Sequence, residues 1–228
     1  MVKIELRKIF TTAIIAGGFL ISPAFAASQT LYIPDNYPKQ FSEEKVREIL
    51  PVYKKVSKEP VIAVALEMLK GTTGEFSRGA ILGNNLSGSP MKVEFKDLGQ
   101  INPDYTNFDA LGWKKGRNLF IYINPRHYDA PPTALAALLS HEALHQDEYN
   151  SLAEETYAWT MEAAVWTEIS KLYPEHTEDS IHPLVARENT LKKLFIKGNY
   201  SNKYIKKTVM SNEGYKNLKS TSPGFEDL

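Results

Sequence analysis

Apolar and polar positions follow three rhythms along this chain, and each predicts a different kind of element. Residues 42–50, Ser-Glu-Glu-Lys-Val-Arg-Glu-Ile-Leu, open with a serine cap and two acids and predict a helix that Pro51 checks. Residues 61–69 are apolar nearly all round, which reads as a buried helix, with a strand as the alternative for so short a run. Residues 133–145 are helix formers throughout, and Pro131 and Pro132 stand just before them, where a first helical turn tolerates proline. A longer helix is predicted from Ser151 to Tyr173, stopped by Pro174, with others over 183–196, 204–210 and 212–218.

Alternation with a period of two marks residues 91–98 and, in part, 119–124 as strands. Residues 108–113 and 118–123, joined by Lys114-Lys-Gly-Arg117, predict a hairpin. No periodic pattern is seen over 71–90, which reads as a loop, over 27–41, an extended arm, or over 175–182, a polar linker. Helices and strands in separate blocks predict an α+β fold.

The first residues change the picture of where the protein works. Lys3, Arg7 and Lys8 form a basic start, Ile9 to Ile21 an apolar core too short to span a membrane, and Ala24-Phe25-Ala26 a small-x-small cleavage signal. Residues 1–26 are therefore expected to be a signal peptide and 27–228 a single exported domain, periplasmic or secreted. The chain has no cysteine, which removes disulfides, thiolate metal sites and lipidation at the signal-peptide end. Its 27 basic and 27 acidic residues balance, so nothing in the overall charge predicts nucleic-acid binding or stable membrane association.

The chemistry is concentrated in His141-Glu142-Ala143-Leu144-His145, an H-E-x-x-H pattern on the predicted helix 133–145. Histidines four residues apart lie one above the other on a helix, close enough to share one Zn²⁺. At about 100° per residue, His141, Glu142 and His145 interrupt an apolar arc that holds Leu138. Burying three such groups without partners is costly, and a metal satisfies them together. A catalytic zinc takes three protein ligands, and Glu154, Glu155 and Glu162 are the candidates for the third. Ser151-Leu-Ala-Glu154 reads as a capping box, which gives Glu154 a structural task. Glu155 shares the inward face with Trp159, Trp166 and Ile169 and is level with His145 across an antiparallel hairpin. Glu162 lies about 10 Å further along, placed to support a ligand rather than be one.

H-E-x-x-H followed by a helix bearing Glu155-Thr-Tyr-Ala158 resembles the gluzincin type of zinc metallopeptidase, within the zincin class, over residues 119–170. The resemblance implies one zinc per chain held by His141, His145 and Glu155, Glu142 as general base, and a peptide or protein substrate. It also implies a small mixed or antiparallel sheet whose edge strand, expected at residues 119–123, packs beside the active-site helix and pairs with extended substrate. The other reading of residues 119–123 is an ordinary core strand, and the competing function is a non-catalytic exported protein in which the metal or a polar cluster staples two helices.

The remaining candidates have plainer readings. His127 is expected at the surface or a helix start, with transition-state stabilisation as the sharper alternative, and Tyr149 and Tyr157 are expected to pack rather than to donate to an oxyanion. His176 and His182 have no evident partner, and Trp159 and Trp166 are expected as core anchors. Lys192, Lys193, Lys197, Lys203, Lys206, Lys207, Lys216 and Lys219 make a basic tail, read as a solvated face rather than a docking site for an anionic envelope.

Overall fold

A computed structural model describes residues 31–177 and 181–226; the expected signal peptide lies outside the described residues. The helix that carries the histidine pattern, α4 (Pro132–Glu142), is buried at every one of its positions, so it occupies the middle of the fold. Alanine at 134, 136 and 137 lets neighbours approach its axis closely, and the Ser140 side chain it buries near its end is satisfied within the helix. Ser140 Oγ donates to the Ala137 carbonyl at 2.6 Å, and the Ser140 carbonyl accepts from Ser77 Oγ at 2.8 Å.

Three elements precede the sheet. Helix α1 (Glu43–Tyr53) starts at the Ser42 cap as expected but runs through Pro51. Pro51 falls in the last turn, where it removes a single backbone bond, and the buried Tyr53 anchors that turn by donating its hydroxyl to Glu67 at 2.7 Å. Helix α2 (Pro60–Met68) resolves the helix-or-strand choice in favour of helix and packs on α4. A seven-residue helix, α3 (Glu75–Ile81), lies inside the stretch expected to be only a loop. Its inward positions are Ser77, Ala80 and Ile81, too short and too weakly apolar a stripe to register as a period.

The sheet is small and mixed, with strand order β1 (Lys92–Phe95), β3 (Asn118–Ile123), β2 (Ala110–Lys115). Strand β1 runs parallel to β3, and β2 runs antiparallel to it from Ala110 opposite Ile123 to Lys115 opposite Asn118. The expected hairpin is therefore present, turned by Gly116 at a φ of 60°, which glycine adopts without strain. One placement is corrected. Residues 119–123 do not form the edge strand; they lie in β3 at the centre, and β2 is the edge that packs on α4. The nearly continuous apolar run Leu119-Phe-Ile-Tyr-Ile is the composition of a strand covered on both sides.

Helix α5 (Leu152–Leu172) lies along α4, followed by α6 (Pro183–Lys197) and α7 (Lys203–Met210), giving seven α-helices and three strands among the described residues, a mixed α+β fold. The last predicted helix, 212–218, is only a 3₁₀ turn at Glu213–Tyr215. The main core gathers α1, α2, α4, the sheet and the far half of α5, while Ala163, Leu191, Phe195, Ile205 and Val209 form a second cluster under α7.

Candidate metal centre

The two histidines are presented differently from expectation. Helix α4 ends at Glu142, and the chain tightens through short-range bonds from Leu144 N–H to the His141 carbonyl and from His145 N–H to the Glu142 carbonyl. His145 thus stands in the turn just beyond the helix, its ring centroid 5.2 Å from that of His141. After residues 146–150 the chain restarts at Ser151, whose Oγ accepts the Glu154 N–H at 3.1 Å, so the first turn of α5 sets Glu154 and Glu155 opposite the histidines.

Each imidazole is fixed from behind by its own carboxylate. His141 Nδ1 is 3.0 Å from Glu162 Oε2, and His145 Nδ1 is 2.9 Å from Glu154 Oε1. Nδ1–H donation to these acids turns both Nε2 atoms toward Glu155, where a metal would take the place of a proton. His141 Nε2 is 3.7 Å from Glu155 Oε2, and His145 Nε2 is 3.8 Å from Glu155 Oε1. Tetrahedral ligands about 2.0–2.2 Å from zinc stand about 3.4 Å apart, so the group would have to draw in around a bound ion. Ligand atoms of His141, His145 and Glu155 all lie within 4.8 Å of one another, and this is a group able to hold a metal ion. Glu155 Oε1 accepts from Asn150 Nδ2 at 2.7 Å, whereas Oε2 is buried and has no hydrogen-bond partner, as expected of an atom reserved for a cation.

Glu154 is thereby corrected. Half of the capping box forms, but its carboxylate does not return to the Ser151 N–H, which donates to Asn150 Oδ1 at 2.7 Å instead. Glu154 is buried and holds His145 from the nitrogen facing away from Glu155, so its task is orientation. Glu162 stands where the helical rise places it, behind His141.

Glu142 takes no part in the group of three. Its Oε2 accepts the Gly112 N–H of β2 at 2.6 Å, and its Oε1 lies 4.0 Å from His141 Nε2. Burial pushes its carboxyl above the usual range, and although the two histidines oppose this, the net shift is upward. In the metal-free protein burial would depress both histidines, but Glu162 overcomes this at His141, and at His145 the Glu154 bond together with Glu155 raises the value to about 9.

A buried charge network, invisible in the sequence, lies behind the centre. Arg187 of α6 grips Glu162 with two bonds of 2.7 and 2.9 Å and reaches Asp109 Oδ2 at 3.3 Å. Burial would raise Glu162, but Arg187 and His141 outweigh it and hold the carboxylate well below its ordinary value. The neighbouring Glu188 is pushed well up by burial and by Glu162. His127, expected at the surface or a helix start, is buried and bonds Asp109 Oδ1 at 2.6 Å; it belongs to this network. His182 caps α6 by accepting the Leu184 N–H.

The centre opens into a cleft of two lobes, about 460 and about 370 Å³, that meet over His141, Glu142 and Tyr215. Trp159 packs against the second cluster and also walls the cleft: Arg187 lies over its ring at 5.4 Å and its Nε1 donates to the Tyr215 hydroxyl at 3.2 Å. Trp166 is fully buried as expected. Tyr149 lines the mouth of the larger lobe, and Tyr157 lies against Phe225 instead. The phenol that faces the centre is Tyr215, where burial and the nearby Glu155 push its pKa up and keep it a hydrogen-bond donor.

Comparison with family models, with curated proteins and with solved structures finds no match for this chain. The reading of the site therefore rests on its own geometry.

Gly112 was legible as a signal that went unused, since an isolated glycine in a strand often marks a close backbone approach. A Cβ there would stand 2.7 Å from His145 Cβ and 2.8 Å from the Glu142 carbonyl oxygen. Gly112→Ala is expected to push β2 off the end of α4, costing roughly 1–3 kcal/mol of stability, as overpacking does. It should also release the bond to Glu142. Thermal denaturation checks it: an unchanged melting temperature would mean that β2 does not press on the site.

Proposed function

We propose that this protein is an exported zinc-dependent metallopeptidase of zincin type, with His141, His145 and Glu155 as metal ligands and Glu142 as general base. The observation that carries this reading is the division of labour among four side chains, all buried but the half-buried His145: three converge on one point, and the fourth, Glu142, lies beside that point without joining them. Zinc bound there would supply Lewis acidity, polarising a substrate carbonyl and lowering the pKa of a water in its open position toward about 7. Glu154 and Glu162 hold the imidazoles in the tautomer that offers Nε2. Glu142, anchored by the Gly112 N–H and raised by burial, takes the proton of the attacking water and passes it to the leaving amine. Tyr215 keeps its phenolic proton in the same cleft and donates to the oxygen that gains charge. The backbone of β2, residues 110–114, lines the larger lobe, so extended peptide pairs with β2 rather than with β3.

The alternative, a structural staple, calls for a closed four-ligand sphere. Among the described residues the group contains three ligands and opens on the cleft, which favours catalysis. Purified protein is expected to carry one zinc per chain and to cleave an unfolded-protein substrate. Chelation should abolish cleavage and added zinc should restore it. Cleavage that survives complete removal of the metal would refute the reading. Export is carried by the basic, apolar and Ala24-Phe25-Ala26 pattern, and an intact mass beginning at Ala27 is expected; a mass that retains residues 1–26 would overturn it.

A further inference from the structure

The C-terminal segment, residues 212–226, crosses the start of α5 with Tyr215 in the cleft and Ser222 on Glu154, although the pattern of the sequence gives it no role there. The first N–H groups of a helix have no partner within it, and here the segment supplies two. The Leu152 N–H donates to the Lys219 carbonyl at 2.9 Å and the Ala153 N–H to the Ser220 carbonyl at 3.0 Å, with Ser151 and Lys219 paired as a short parallel bridge. These bonds fix the turn of α5 on which Glu154 and Glu155 are mounted.

Two residues further on, Ser222 is buried with its Oγ 2.8 Å from Glu154 Oε2 and 2.9 Å from Ser151 Oγ. Counting donors fixes the direction of these bonds. The Ser222 hydroxyl has a single proton, and it is donated to the Glu154 carboxylate. Ser151 therefore donates its own to Ser222. The other oxygen of the same carboxylate, Oε1, accepts from His145 Nδ1 at 2.9 Å. Two donors thus converge on the Glu154 carboxylate: Ser222, itself receiving a bond from Ser151, at Oε2, and His145 Nδ1–H at Oε1.

We propose that Ser222 is a positioning residue for the metal centre: its hydroxyl locks the Glu154 carboxylate in the rotamer that presents His145 Nε2 to the metal, so that the C-terminal segment completes the site. The proposal rests on the metal-binding reading above and is independent of whether the bound metal hydrolyses anything. A carboxylate with one oxygen released can swing about its χ angles, and the imidazole it holds then loses its fixed orientation.

The test is zinc affinity of the full chain, measured by competition with a chelator, for Ser222→Ala, Ser222→Thr and Glu154→Gln, alone and combined. Removing a partner behind a ligand costs about 10–100-fold in affinity, so Glu154→Gln should fall in that range and Ser222→Ala, one link further out, near its lower end, about 10-fold. Ser222→Thr keeps the hydroxyl and should recover wild-type affinity. In the Glu154→Gln background Ser222→Ala should cost almost nothing further, because the carboxylate it donates to is already gone. Unchanged affinity in Ser222→Ala, or an equal loss with and without Glu154→Gln, would overturn the proposal and leave Ser222 as a packing residue whose loss lowers only the metal-free melting temperature. Wild-type protein that takes up no zinc would instead overturn the metal reading itself.

Discussion

Glu142→Gln protein is expected to fold, to hold one zinc per chain as tightly as the wild type, and to hydrolyse peptide bonds about 10²–10⁴-fold more slowly, the usual contribution of a general base. The geometry separates the two properties. The Glu142 carboxyl is outside the ligand group, and what anchors it is a hydrogen bond accepted from the Gly112 N–H. A glutamine places a carbonyl oxygen where Oε2 stands, so that bond is kept, while the amide has no basic site for a proton. Stability should not suffer, because burial already disfavours the ionised acid and the substitution removes it. The decisive comparison is cleavage of an unfolded-protein or peptide library at matched zinc content. Equal rates for wild type and Glu142→Gln would sink the peptidase mechanism, even with zinc confirmed in the site.

Glu155→Gln carries the second large effect, loss of stoichiometric zinc from a chain that remains folded. Glu155 is the one acid placed between both Nε2 atoms, at 3.7 and 3.8 Å, and it alone brings a negative charge to the metal from the ligand group. An amide oxygen in its place is a neutral and much poorer ligand for zinc. Glu154→Gln is the matched control, since Glu154 touches only the far nitrogen of His145, and it should weaken zinc about 10–100-fold while still giving one zinc per chain at saturation. Metal analysis of both variants, with circular dichroism to confirm folding, decides the assignment. Zinc retained by Glu155→Gln and lost from Glu154→Gln would show the ligand to be the wrong acid of the pair.

How much of this centre was legible depended on how local each relation is. The inward phase of Glu155 follows from helical geometry, and although His145 stands in the turn past the end of α4 rather than on it, the structure gathers His141, His145 and Glu155. The distance of Glu162 from the turn was enough to place it behind a ligand, which is where it lies. Glu154 was misassigned because a capping box and a carboxylate reaching for His145 have the same sequence, and only the position of the neighbouring turn decides which acceptor is used. Residues 119–123 left edge strand and core strand both open for a similar reason, and the core strand is what forms: strand order is a pairing between distant segments, and β1, which pairs with β3 from the other side, lies far from it in the chain.

By itself the sequence determined most of the elements, α3 and the stretch 212–218 excepted, because periodicity and caps act over a few residues, and it determined which side chains bring metal-binding chemistry to one hairpin. It also carried the mixed α+β class, which the separate blocks of helix and strand require. Tertiary structure alone decided what surrounds that hairpin. Arg187 reaches Glu162, Gly112 reaches Glu142, Tyr215 and Ser222 reach the start of α5, and each of these comes from a segment distant in the chain. Such contacts are selected by desolvation, since a buried carboxylate must find a donor wherever the packed fold brings one, and no spacing rule along the chain encodes that choice.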